Sequence, residues 1–166
     1  MDKKVRYDLD SYDIVTKAIK SLINDYPKLG TDDEITFCTL SDSKGKSFFP
    51  VSGPVIQSET KDITGHVEQN CMYPFYVIYR ASGLTQDNKI KVKEWLDSLG
   101  KWLEKQMISV GTDNYSIKEY PSLSGNRKFE RIYRTSPSYL YTQSNDGVED
   151  WAINLSAQYK NEYDTN

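Results

Sequence analysis

The residues that most often do chemistry are scarce in this sequence. It has one histidine, His66, and two cysteines, Cys38 and Cys71, in 166 residues. A single histidine leaves no second imidazole for a metal centre, and any Ser-His-Asp or Cys-His relay would have to run through it. Two cysteines alone build neither a disulfide framework nor a zinc site, and both fit buried, reduced thiols in strand-like contexts. No run approaches the roughly 18 apolar residues of a membrane helix. The charged start, Met1-Asp2-Lys3-Lys4, is followed by no apolar stretch, so no signal peptide is expected. There is no HExxH, CxxC, DxDxDG or GxxxxGK[ST] pattern. The net charge is -3, without the basic excess usual in proteins that live on nucleic acid or anionic membranes.

Aromatic residues are plentiful: 13 Tyr, 5 Phe and 3 Trp, too many for a disordered chain of this polarity. The length suits one domain, and neither repeats nor an interdomain linker divide residues 1–166. Tyr12, Val15, Ile19, Leu22, Ile23 and Tyr26 recur at helical spacing and predict a helix over 11–26, capped by Asp10 or Ser11 and stopped by Pro27. Val92, Trp95, Leu96, Leu99, Trp102, Leu103 and Met107 predict a second helix over 88–107, capped by Asp87 or Asn88, with Gly100 explained only by close packing or a bend. Strands are predicted over about 34–40, 48–51 (an edge, because of Pro50), 63–69, 73–80, 115–120, 128–135 and 148–163. The 73–80 strand is apolar on both faces and reads as central, with Pro74 where its pairing begins. The last strand alternates, with Trp151, Ile153, Leu155, Ala157 and Tyr159 on one side. Segments 52–62 and 136–147 read as loops. The expected fold is α+β: one domain, a mixed and mainly antiparallel sheet, and two amphipathic helices packed on one face.

The search for chemistry finds no catalytic constellation. His66 follows Gly65 in a weak strand and reads as a surface or half-buried residue. The acidic pairs Asp32-Asp33 and Glu149-Asp150 lack anything that would raise a pKa. Tyrosines can stack bases or sugars, but these scatter over every element, with Tyr139-Leu140-Tyr141 the nearest thing to a patch. Trp95 and Trp102, seven apart on one helix face, read as core. The stretch 125–134 carries Arg127, Lys128, Arg131 and Arg134 against Glu130, while 145–166 is acidic. A basic edge and an acidic end can meet head to tail in a ring.

The order of these elements resembles a known family. A first amphipathic helix ends in Tyr26-Pro27, and an Ile35-Thr36-Phe37 strand follows. An aromatic strand ends in Tyr79-Arg80. The segment from Lys93-Glu94-Trp95-Leu96 to Trp102-Leu103 comes next, and the chain closes on Trp151-Ala152-Ile153-Asn154-Leu155-Ser156-Ala157-Gln158-Tyr159-Lys160. The pattern resembles the minor capsid and tail-terminator (tail completion) proteins of tailed phages and prophages of Gram-positive bacteria. The likeness covers most of the chain, but its motifs are apolar patterns, and no functional residue carries over by position.

The resemblance implies a virion protein, present in the host cytoplasm during assembly, that forms a ring of usually six copies at the head-proximal end of the tail tube. Its partners are then itself, the tail tube protein and the head–tail connector proteins. No enzyme activity, cofactor, metal or membrane is implied, and nucleic acid is not an expected partner. Subunit contacts are expected at Phe48 and Phe49 in the 44–51 hairpin and at Arg127, Arg131 and Arg134. A head–tail connector or another minor capsid protein is the neighbouring alternative. A nucleic-acid or carbohydrate module using the tyrosines and the basic strand is the alternative from another class, and an enzyme around His66 the third.

Overall fold

Two strands of 17 residues run antiparallel through the middle of the sheet, β5 (His66–Ser82) and β10 (Val148–Asp164). Each is roughly 55 Å long at about 3.3 Å per residue. The structure, a computed structural model, describes residues 4–165. The other elements are β1 (Arg6–Tyr7), α1 (Tyr12–Ile23), β2 (Ile35–Phe37), β3 (Gly45–Pro50), β4 (Val55–Lys61), α2 (Gln86–Leu103), β6 (Ile108–Val110), β7 (Asp113–Tyr115), β8 (Arg127–Arg134) and β9 (Tyr139–Gln143). The sheet runs β1-β4-β5-β10-β8, with β3 also on β5, β2 on β3 and β9 on β10. The β2–β3 pair is parallel and the others are antiparallel, which gives the expected mixed sheet. β6 and β7 form a separate two-stranded sheet.

Both helices lie on one face, and alternation along the long strands decides which. Val67, Cys71, Tyr73, Phe75 and Val77 of β5 and Ile153, Leu155, Ala157 and Tyr159 of β10 are all buried. The Thr16 hydroxyl of α1 meets Tyr73 Oη at 2.9 Å, and Ser11 Oγ meets Tyr159 Oη at 2.7 Å. The Trp95 ring of α2 stands edge-on to Tyr79 and to Tyr26. Full burial of each Leu, Ile, Val or Phe in this layer contributes roughly 1.5–3 kcal/mol. The domain is α+β, as its hydrophobic periods predict.

Several local expectations need correction. The 52–62 loop contains β4, a polar and exposed strand with no strong apolar signal. The two strands expected at 63–69 and 73–80 are one, β5, with Pro74 in its interior. The Pro74 carbonyl accepts from Val51 N–H at 2.9 Å on the side where the chain crosses from β3 to β4. A strand residue's N–H and C=O point to the same side, so the missing proline donor faces that crossover and costs no ladder bond. The strand at 48–51 is β3, inside the sheet between β2 and β5 rather than at an edge. The strand at 34–40 stops at Phe37 because Cys38 turns the chain at φ 54°. The 115–120 strand reduces to β7, and 116–126 has no regular structure. The 136–147 loop contains β9. α2 starts at a Thr85 cap, whose Oγ1 accepts from Asn88 N–H, not at Asp87 or Asn88. It ends before Lys105, which has φ 65°, so Met107 leaves the apolar stripe and is exposed. α1 ends at Ile23, before Tyr26 and Pro27.

Candidate functional site

The five residues expected at subunit contacts fall in three different environments. Phe48 is fully buried, packed between Phe37 and Phe75 on the helix side of β3, so it touches core and not a partner. Arg127 makes a two-pronged, largely buried ion pair with Asp8, at 2.8 and 3.0 Å. Asp8 also accepts from Tyr159 Oη at 2.8 Å. Burial alone would raise the Asp8 carboxyl, but the hydrogen bonds of Arg127, Tyr159 and Ser11 outweigh it and hold it below the usual carboxylate value. Arg134 is spent on Glu104, which takes its backbone N–H at 2.9 Å and its guanidinium at 2.8 Å. Arg127 and Arg134 therefore tie this chain to itself.

Phe49 and Arg131 lie on the other face of the sheet, which carries no helix. Phe49 is a cross-strand partner of Tyr76, and their rings stack at 5.4 Å and 14°. Tyr141 follows at 6.0 Å from Tyr76, and Tyr139 at 6.4 Å from Tyr141. The register of β9 on β10 shifts opposite Asp150 and Trp151, leaving Tyr141 without a Cα partner there. Such a bulge re-aims a side chain, and here Tyr141 meets Tyr76 on the helix-free face. Ala152, the small residue paired with Tyr139, leaves room for the row, and the Tyr139 hydroxyl donates to Asn154 at 3.2 Å. Arg131 stands further along the same face, its guanidinium over the Tyr133 ring at 4.3 Å and its Nε donating to Gln158 at 2.6 Å. Among the described residues no carboxylate pairs with it.

The tyrosines thus do gather, four rings in a row counting Phe49, although the sequence shows them scattered. No periodicity could reveal this. The row is assembled from β3, β5 and β9 across the sheet, and β9 looks like a loop in sequence. Phe49 and Tyr76, nearly parallel at 5.4 Å, turn one face each toward the other, while Tyr141 is tilted by 30° against Tyr76 and Tyr139 meets Tyr141 edge-on. A base or a sugar needs a free ring face, whereas edges and hydroxyls suit an interlocking protein surface.

Several further polar groups pair within the chain. Arg80 holds Asp150 through two hydrogen bonds of 2.7 and 2.8 Å, and Lys160 bridges Glu68 and Glu130. His66 Nδ1 donates to Asp164 at 2.8 Å, and Nε2 lies 4.0 Å from Glu162. That hydrogen bond, with the surrounding carboxylates, raises the imidazole above its ordinary value. The corner pins the far end of the β5–β10 ribbon. Among the described residues no three His, Cys, Asp or Glu side chains are grouped to hold a metal ion, and no helix is long and apolar enough to cross a membrane. Cys71 is buried, its thiol pushed up to about 11, while Cys38 is exposed. A cavity of about 610 Å³ between the 118–123 strap and β8 is lined by Lys105, Lys118, Lys128 and Arg127 against Glu119.

No family model and no curated protein matches the chain.

Proposed function

We propose that this chain is a structural assembly protein of a tailed phage: a tail terminator whose copies close into a ring at the head-proximal end of the tail tube. The observation that carries the reading is the helix-free sheet face. It presents an aromatic row and an arginine, Arg131, with no carboxylate partner among the described residues, whereas Arg6, Arg80, Arg127 and Arg134 all pair with carboxylates of the chain. Surfaces rich in tyrosine and arginine and poor in free carboxylate are typical of protein contacts. In this reading the chain is not an enzyme, and it works in the virion after assembling in the host cytoplasm. Its partners are itself, the tube protein and the connector. A head–tail connector is the neighbouring possibility, separated by which end of which particle the protein caps.

The test is native mass with negative-stain imaging over a range of protein and salt concentrations, alone and with purified tube protein. Closed rings of one copy number, six by the family resemblance, are expected. A monomer under every condition, with no attachment to tubes, sinks the reading.

One observation favours a second reading, in which the lysine-lined cavity beside β8 takes the phosphates of a nucleic acid. Retention of the protein on DNA at low salt, falling steeply as salt rises, would support it. No retention at low salt removes it.

A further inference from the structure

We infer that copies of this chain join head to tail through the two lateral flanks of the sheet, the β9 flank of one copy seating on the β1 flank of the next. This contact rests on the ring reading above and assigns the residues that make it. Large exposed apolar side chains stand on both flanks. Val5, Tyr7 and Leu9 alternate along the β1 flank, with Leu9 83% exposed, and Val51 is exposed on the adjoining crossover. Leu140 and Tyr141 stand on the β9 flank, 41% and 49% exposed. The strand order places β1 at one end of the sheet and β9 beyond β10 toward the other. Two different apolar patches on opposite sides of one molecule are what a heterologous contact requires.

The state of the strand edges points to the same flank. An open edge invites pairing, and proteins close the edges they do not use. The β2 edge is closed by Asn24, which accepts from Ile35 N–H at 2.8 Å and donates to its carbonyl at 3.0 Å. The β8 edge is closed by Tyr120 Oη, which accepts from Ile132 N–H, and by Glu104, which accepts from Arg134 N–H. Beyond β1 the β4 edge carries Glu59 and Lys61. The β9 edge, Tyr139-Leu140-Tyr141-Thr142-Gln143, has no charge and no proline, and among the described residues no side chain blocks it. One charge pair fits the contact: Lys4 is exposed beside Val5 on the β1 flank, where Arg6 is already paired with Glu59 at 3.4 Å and Asp10 is also exposed, and Asp146 is exposed on the turn between β9 and β10.

The two flanks are offset along the strands. β1 reaches β5 through Ile56, the partner of Cys71, whereas β9 lies beside residues 149–152 of β10, the partners of 78–81. Neighbouring copies therefore step about 26 Å along the strand direction as well as across it. A closed ring built this way sets its strands oblique to its axis.

The experiment uses two reporters, Leu9→Cys and Leu140→Cys, each in a Cys38→Ser background, so that the introduced cysteine is the exposed one alongside the buried Cys71. Both positions are exposed, so neither change disturbs the core. The variants are oxidised separately and mixed, and native mass is recorded in parallel. A disulfide-linked dimer that forms on mixing, and not from either variant alone, is expected. Rings without that mixed crosslink, or a crosslink formed by one variant with itself, overturn the flank contact and leave the ring reading standing. A protein that stays monomeric at millimolar concentration and does not attach to purified tubes, with no crosslink, overturns both.

Discussion

Gly100 lies where α2 comes down on β8 and β10. A Cβ there would lie 2.6 Å from Arg134 Cγ, nearer still to Cδ, and 3.0 Å from Ile153 Cδ1. The glycine costs the helix about 1 kcal/mol, and the space it leaves holds the arginine stem against Glu104. Gly100→Ala gains that helix propensity but forces Arg134 away, an overpacking penalty of about 1–3 kcal/mol. A net loss of about 1 kcal/mol is expected in urea unfolding. In an Arg134→Ala background the same change should become stabilising. A Gly100→Ala protein more stable than its parent would show that Arg134 moves freely. Asp8 is the second such point. Asp8→Asn leaves the Arg127 guanidinium largely buried without its counter-charge, a loss of about 3 kcal/mol. By contrast, Arg131→Glu on the open face should alter stability by less than about 0.5 kcal/mol. A large drop in Tm for Arg131→Glu would mean that this side chain holds the fold and not a partner.

The elements divide by how local their signals are. Both helices are legible because an apolar stripe at 3.6-residue spacing has no other use. The cap was less so. Thr85 looks like part of a loop, and its capping role shows only where the chain turns into α2. Thr85→Ala should cost about 1 kcal/mol, read from the same unfolding curves. A loss below about 0.2 kcal/mol would mean the Thr85 hydroxyl does not cap α2. The β5–β10 pair was half legible. Its alternation is clear, but Pro74 reads as a strand start, and only the β3–β4 crossover beside it explains its tolerance. β4 and β9 were illegible for a common reason. Each pairs with a single longer strand over much of its length and spends most of its side chains on solvent, so neither shows the apolar period of a buried strand. That ambiguity reaches the candidate site. The aromatic row requires β9 to be a strand, and Phe48 and Phe49, adjacent in sequence, go to opposite faces because β3 is one.

At the scale of the whole molecule, the uneven charge along the chain reads differently once folded. The basic 125–134 stretch and the acidic 145–166 stretch are neighbours in one sheet, β8 beside β10, and much of their charge cancels within the chain. Lys160 meets Glu130 across β10 and β8, Arg127 meets Asp8, and Asp150 meets Arg80. This arrangement predicts how stability depends on pH. Arg80 holds the Asp150 carboxyl below its ordinary value. Burial would raise Asp97 and Glu104, but hydrogen bonds from Lys93 and Arg134 leave both lowered, as with Asp8. A carboxylate lowered in the folded state contributes stability that is complete above its unfolded value, near 4, and lost as pH falls through the folded one. His66 has the opposite sign. Its raised value contributes stability that is complete below about 6.5 and lost as pH rises through the folded value. The urea midpoint should therefore be highest between about pH 5 and 6.5, fall steeply toward pH 3, and decline gently on the alkaline side. Asp8→Asn should flatten the acid limb, and Asp164→Asn should lower the His66 titration followed by NMR and remove part of the alkaline decline. A midpoint unchanged between pH 7 and pH 3 would mean that these ion pairs, Asp8–Arg127 foremost, do not hold the folded state.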